Sequence, residues 1–344
     1  MLMLRTAYVC DPRYANHEVP PGHPERPERI EALLDLVRRY EREGIVSVAP
    51  RAATVEEILS NHDRRYVEQV RASAGKPIVV FDADTAAYSE SYETALLSAG
   101  GLLALTDRVM AGEADNGFAM IRPPGHHAES DRAMGFCFFN NVAIGARYLR
   151  SKHKLDRVLI VDWDVHHGNG TQRSFYADKH VLYVSLHQYP HYPGTGAVNE
   201  AGVADGLGYT VNIPFPGGYG DDEYAAAFRR IIEPIGRQFA PEFVLISAGF
   251  DAHQSDPLSR MRVTKEGYAA MTRSLLDIAR ESAGGRCVAV LEGGYDLEAL
   301  TESVSSVLDA LGGGNLDAPR PQGSGADAVL DAVTRVHRRF WKLV

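Results

Sequence analysis

Val158-Leu-Ile-Val-Asp-Trp-Asp-Val-His-His-Gly-Asn-Gly-Thr171 decides how this chain folds. Four apolar residues at 158–161, without alternation, predict a strand covered on both faces, as in a parallel sheet between helices. The strand empties into a glycine-punctuated turn carrying Asp162, Asp164, His166, His167 and Asn169. Desolvating such groups without partners is costly, so a chain gathers them at a strand end for a purpose. Asp164 and His166 are two residues apart, which in extended backbone turns both side chains to one side. A carboxylate and an imidazole so placed are the start of a zinc or iron site. The plainer reading of the same residues is a capped turn with an ion pair; the rest of the chain chooses between them.

Outward from this stretch, strands alternate with helices. Strands are predicted at 6–10, 78–81, 117–121, 180–186, 208–213, 243–247 and 287–291. Helices are predicted at 28–42, 64–73, 91–112 with an interruption at Gly100-Gly101, 140–151, 221–239, 264–282 and from about 297 to 311. Thr54 and Glu57 form a capping-box pattern at a further helix start. The proline-rich 20–29 reads as an ordered surface loop leading into the first helix. A glycine- and proline-rich exposed connection at 311–326 leads to a last helix, 327–342, whose Val329, Leu330, Val333 and Val336 dock it on the body. Without repeats or linkers, 1–344 reads as one α/β domain, a doubly wound parallel sheet with helices on both faces.

Composition bounds the function. A net charge of −9 and a pI near 5.8 argue against broad nucleic-acid or anionic-membrane binding. No run approaches a membrane span, and the first residues lack a signal-peptide layout. Cys10, Cys137 and Cys287 are widely spaced in apolar contexts and read as reduced thiols of a cytoplasmic protein.

The four richest polar clusters, 122–129, 162–169, 249–253 and 292–296, each follow a predicted strand. Ligands of open α/β sheets bind beyond the carboxyl ends of strands, so the four can share one pocket. Asp251 is then the natural third ligand beside Asp164 and His166, and three protein ligands leave positions open for water and substrate. His126 and His127, after a rigid Pro-Pro-Gly turn, are a candidate acid–base pair. Asp162 and Asn169 are free to orient them, and an aspartate raises the basicity of its imidazole more than an asparagine does. Tyr295, after two glycines, is placed to hydrogen-bond a polarised carbonyl oxygen.

Arg122-Pro-Pro-Gly-His-His-Ala-Glu, Gly135-Phe-Cys-Phe-Phe-Asn-Asn, Val161-Asp-Trp-Asp-Val-His-His-Gly-Asn-Gly-Thr-Gln, Ser247-Ala-Gly-Phe-Asp-Ala-His and Leu291-Glu-Gly-Gly-Tyr-Asp-Leu resemble, in order, the zinc-dependent histone deacetylase superfamily. That superfamily includes acetylpolyamine amidohydrolases and acetoin-utilisation proteins, and Trp163, Asn169 and Gly22-His-Pro-Glu-Arg-Pro27 look most like its class II branch. The resemblance spans about 5–312 and implies an arginase-like α/β fold. It implies Asp164, His166 and Asp251 as zinc ligands, with iron(II) able to take the same set. His126 and His127 become the tandem histidines, partnered by Asp162 and Asn169, and Tyr295 the transition-state phenol. Gly135, Phe136, Tyr192 opposite Phe136, and Leu258 would line the channel. Asp162, Asp164, His166, Ser185 and Leu186 would surround a structural potassium (or sodium) ion, with a second near Phe175 and Val181.

The implied reaction is hydrolysis of an N-acyl amine such as acyl-lysine in a peptide or protein, with no nucleic-acid or membrane partner; assembly into a homo-oligomer stays open. Two departures bear on selectivity. Class II relatives commonly carry two aromatics where this chain has His191-Tyr192, and polyamine-specific relatives carry a glutamate where it has Leu258. An acetylpolyamine amidase, an arginase-like ureohydrolase and a degenerate acyl-lysine binding module are the competing readings. They separate by substrate panel, metal count and the effect of replacing Tyr295.

Overall fold

A computed structural model describes residues 4–39, 45–314 and 326–343. Its strands are β1 (Thr6–Val9), β2 (Ile45–Ser47), β3 (Val79–Val80), β4 (Ala86–Ala87), β5 (Asn116–Ala119), β6 (Val158–Asp162), β7 (Val181–Gln188), β8 (Thr210–Phe215), β9 (Phe243–Ala248) and β10 (Cys287–Leu291). The helices are α1 (Glu28–Arg39), α2 (Val55–Leu59), α3 (Arg64–Arg71), α4 (Ser91–Met110), α5 (Asn141–Ser151), α6 (Asn169–Phe175), α7 (Asp221–Ala227), α8 (Glu233–Phe239), α9 (Lys265–Ser282), α10 (Leu297–Leu311) and α11 (Asp327–His337).

Eight strands form one sheet in the order β2-β1-β5-β10-β9-β6-β7-β8, every neighbouring pair parallel. The α/β expectation holds. β5, β6, β7, β9 and β10 are buried along their whole lengths, which is why β6, β9 and β10 read as apolar runs without alternation. The order holds the decisive fact. The chain adds β6, β7 and β8 toward one edge, then returns to insert β9 and β10 between β6 and β5. The carboxyl ends of β5, β10, β9 and β6 therefore stand side by side, with Val290 opposite Ala119, Leu291 opposite Ala248 and Asp162 opposite Ser247.

Several local expectations are corrected. α4 is continuous through Gly100 and Gly101. These glycines serve close approach instead: a Cβ on Gly100 would lie 2.0 Å from the Arg51 carbonyl oxygen, and one on Gly101 2.2 Å from the Tyr14 hydroxyl. The predicted helix 221–239 is one run interrupted by a π turn at Phe228–Ile232. The last helix stops at His337 rather than 342, and Trp341 beyond it donates its indole N–H to the Gly208 carbonyl at 2.9 Å. β2, β4 and α6 have no sequence signal of their own; the first two are too short to show a period, and α6 spans the glycine-punctuated Asn169-Gly-Thr. The proline-rich loop is only partly at the surface, because Glu25 and Arg29 are fully buried. The expected connection at 311–326 falls for the most part, at 315–325, outside the described residues, as does the predicted helix end at 40–42.

His62 shows how tightly the loops around the site are fixed. Its Nε2 accepts the Asn140 backbone N–H at 2.9 Å, so Nδ1 must carry the proton it gives to the Glu129 carbonyl at 2.8 Å. A second proton would face the Asn140 N–H. Burial lowers this imidazole to about 4. A histidine depressed in the folded state contributes stability above its unfolded value near 6.5, lost as pH falls toward about 4. Unfolding free energy measured between these limits is expected to fall less steeply with acid in His62→Gln than in the native chain. Equal slopes would remove His62 as a source of acid sensitivity.

Candidate active site

Asp164, His166 and Asp251 are buried and each presents a ligand atom, all within 4.8 Å of one another. The convergence does not come from a pleat. β6 ends at Asp162, and the chain bends over 164–166. Carboxylates hold that bend: Asp162 accepts the Asp164 N–H at 3.1 Å, Asp164 the His166 N–H at 2.9 Å, and Asp251 the Val165 N–H at 2.8 Å. The absence of side chains at two glycines completes the seat, since a Cβ on Gly249 would lie 2.1 Å from Asp164 Oδ2 and one on Gly293 2.1 Å from Asp251 Oδ2.

The charges call for a cation. His166 Nδ1 lies 3.1 Å from Asp164 Oδ1 and 3.2 Å from Asp251 Oδ2. Burial opposes its protonation, yet the two carboxylates outweigh burial and raise it to about 10. One positive charge shared between two buried carboxylates is the role a divalent ion takes over when it displaces the proton. One nitrogen and two oxygen donors, with positions left open, suit zinc.

His126 and His127 arrive from the end of β5 with ring centroids 4.0 Å apart, but their partners differ. His126 Nδ1 lies 3.1 Å from Asp162 Oδ2, which also accepts the Tyr183 hydroxyl at 3.0 Å. His127 Nδ1 lies 2.8 Å from Asn169 Oδ1. The Asn169 amide is oriented by donating Nδ2 to Glu129 Oε1 at 2.8 Å, so its oxygen accepts from His127 Nδ1–H. Neutral His127 thus presents a bare Nε2. Burial, then the charges of His126 and His166, hold His127 well below the ordinary histidine range. Burial acts on His126 too, but Asp164 and Asp162 overcome it and raise that ring to about 10. Two adjacent histidines therefore behave oppositely: one keeps a proton and one offers a lone pair.

Gly135 lies against His127, where a Cβ would come within 2.4 Å of ring carbon Cδ2. Phe136 takes the left-handed conformation, φ 68°, uncommon for a bulky residue, held by its N–H donating to Thr85 Oγ1 at 3.0 Å. Its ring stands edge-on to Tyr295 at 6.0 Å, while Tyr192 stands edge-on to His127 at 5.1 Å. His191 stacks on His166 at 5.0 Å and donates Nε2–H to the Leu258 carbonyl at 3.1 Å, so a polar imidazole stands at this side of the site. The Tyr295 backbone N–H donates to Asp256 Oδ2 at 2.7 Å, and the Arg29 guanidinium lies 5.1 Å from its ring. Burial, then Asp251, push its phenol well above the usual tyrosine range, so it stays a donor.

Ser185 pairs with Asp162 in the register of β7 against β6, with Leu186 next along β7. Phe175 closes α6, and Val181 opens β7.

Sequence reasoning missed the supporting residues. Arg29 donates to the Glu292 and Gly294 carbonyls at 2.6 and 2.7 Å and pairs with Glu25, which also pairs with Arg122. The only advance signal was the i, i+4 spacing of Glu25 and Arg29. His167, unassigned from the sequence, meets Thr195 Oγ1 at 2.7 Å and Gln172 Oε1 at 3.0 Å. Gln172 in turn donates to Glu200 at 2.6 Å, and Glu200 accepts the Ala197 N–H at 3.0 Å. This network ties the loop bearing His191 and Tyr192 to the body.

Residues 23–311 match the model of the histone deacetylase domain. The chain belongs to the histone deacetylase family. It is similar to a probable deacetylase of Archaeoglobus fulgidus, 41% identical over 98% of this chain and 99% of that protein. It is 40% identical to the chloroplastic histone deacetylase 14 of Arabidopsis thaliana over 84% of this chain and 73% of the relative, and 38% identical to human histone deacetylase 7, covering 99% of this chain but 40% of that longer protein. The crystal structure of the HDA15 HD domain superposes with a TM-score of 0.92 at 39% identity, covering 98% of this chain and 95% of that one. This histone deacetylase-family protein is a deacetylase, a hydrolase of amide bonds, built around a buried Asp-His-Asp metal site. No helix among its described residues is long and apolar enough to cross a membrane.

Proposed function

We propose that this protein uses zinc to hydrolyse N-acyl amines, acting on acetyl-lysine or a similar acylated lysine side chain. The observation that carries the reading is a pair of adjacent histidines with different partners, Asp162 for one and Asn169 for the other, beside a buried three-ligand site.

Asp164, His166 and Asp251 would hold a zinc ion, which would supply Lewis acidity toward the amide carbonyl and an attacking water. His127, neutral and bare at Nε2, removes the proton from that water as its oxygen attacks the carbonyl carbon. Asn169 fixes the tautomer that makes this possible. Tyr295 donates its phenolic proton as a hydrogen bond to the carbonyl oxygen while negative charge develops there. When the C–N bond breaks, the histidine pair returns a proton to the leaving amine, with His126 held in place by Asp162. Gly135, Phe136 and Tyr192 form the passage for the methylene stem, and Leu258 lies beside it.

Asp162, Asp164, His166, Ser185 and Leu186 are the residues we assign to a structural monovalent cation, supported by the pairing of Asp162 with Ser185. Cys10, Cys137 and Cys287 are free thiols, consistent with the reducing cytoplasm.

Leu258 supports a peptide over a polyamine because it offers nothing to a distal ammonium, and a hydrogen bond to a charged group is worth roughly 1.5–3 kcal/mol. The test is a panel of acyl-lysine peptides and acylpolyamines on the zinc-loaded enzyme. An acetyl-lysine peptide is expected to exceed acetylputrescine by about tenfold or more in kcat/KM. A clear preference for acetylputrescine would reverse the assignment, and two metal ions per chain would point to ureohydrolase-like chemistry.

A further inference from the structure

Glu292 is fully buried at the end of β10, three residues before Tyr295, and no role in the chemistry proposed above falls to it. Its Oε2 accepts the Gly125 N–H at 2.7 Å and the His126 N–H at 3.2 Å, and its Oε1 accepts the Ser247 hydroxyl at 2.8 Å. One carboxylate thereby joins the turn bearing the tandem histidines, the end of β9 and the loop bearing the phenol.

We propose that Glu292 is a positioning residue, the pin that sets His126 and His127 relative to Tyr295. The turn after β5 needs it. Gly125 is packed so closely that a Cβ would lie 2.5 Å from the Asn141 nitrogen and 2.8 Å from the Phe139 carbonyl oxygen. The Gly125 and His126 amides would otherwise be donors buried without partners, which native proteins rarely tolerate. The His126 residue is then held at both ends, by Glu292 at its backbone nitrogen and by Asp162 at Nδ1. From the other side, the Glu292 backbone N–H donates to the Ala248 carbonyl at 3.0 Å and its carbonyl accepts Arg29. Displacing a reacting group by about 1 Å costs roughly 10²-fold in rate.

What the role requires is an acceptor, not a charge. A glutamine can offer its carbonyl oxygen to both amides and its N–H to Ser247 Oγ, whereas methionine fills similar space and accepts almost nothing. Glu292→Met is expected to lower kcat about 10²-fold while KM changes less than about threefold and bound zinc is retained. Glu292→Gln is expected to restore kcat to within about fivefold of the native chain. Amide exchange at Gly125 and His126 should accelerate in the methionine variant and stay slow in the glutamine variant.

The proposal rests on the histidine pair carrying protons, but amide exchange tests the pin without any turnover. Fast exchange in Glu292→Met beside inactive native protein would sink the reaction assignment and leave the pin standing. Unchanged exchange, or native kcat in Glu292→Met, overturns the pin. A glutamine variant as slow as the methionine one also overturns it, because the charge would then be what matters. If the methionine variant does not fold, Glu292→Gln decides against the native chain: kcat within about fivefold supports the pin, and a loss of about 10²-fold overturns it.

Discussion

Asp251→Ala is expected to strip the metal from the protein and take turnover to background. Asp251 contributes one of the two carboxylates of a three-ligand site, three residues past the end of β9. Structural zinc in four-ligand zinc-finger peptides binds with an apparent free energy of roughly 10–16 kcal/mol, so one ligand is worth about 3–4 kcal/mol, or on the order of 10²–10³-fold in affinity. The loss is sharpened because Asp251 also accepts the Val165 N–H that holds the bend from Asp164 to His166. Elemental analysis after dialysis, beside turnover, checks both parts. Stoichiometric zinc in the alanine variant would mean that the ion is held elsewhere. Full activity in metal-free native protein would falsify the whole mechanism.

Tyr295→Phe carries the second large effect. The ring should stay in place, because its position is set by the backbone N–H to Asp256, the Arg29 guanidinium and the edge of Phe136, none of which involves the hydroxyl. What is lost is one preorganised donor to the developing oxyanion, worth roughly 10²–10³-fold in kcat. Zinc content and KM should change little. Since burial keeps the phenol protonated across the working range, the deficit should be the same at every pH tested. Steady-state kinetics on an acetyl-lysine peptide make the measurement. Near-native kcat would remove Tyr295 from the chemistry and favour a module that binds acyl-lysine without cleaving it.

How far the site could be read in advance varies by residue and for physical reasons. Asp164, His166 and Asp251 were legible because donors of those types at strand ends have few other uses. His167 was not: it sits beside a metal-site histidine in the chain, yet its partners are Thr195 and Gln172, and no local pattern reports a contact across the fold. Glu292 gives no signal of its role in its own segment, since its value lies in two amides 166 and 167 residues away. Gly100 and Gly101 misled in the opposite direction. Glycine in a helical pattern signals a break, and only the nearness of Arg51 and Tyr14 shows that here it signals contact.

By itself the sequence determined the alternation of strand and helix, the apolar β6 and the chemical identity of the groups placed after β5, β6, β9 and β10. Those follow from local periodicity and from the cost of leaving polar groups unpaired. Only the tertiary structure decided that these four strand ends are neighbours. Strand order depends on β9 and β10 entering between β5 and β6, a non-local pairing that leaves no mark on any one segment. That same order turns two adjacent histidines into one that holds a proton and one that accepts one. Their difference lies in Asp162 and Asn169, which reach them from the next strand but two.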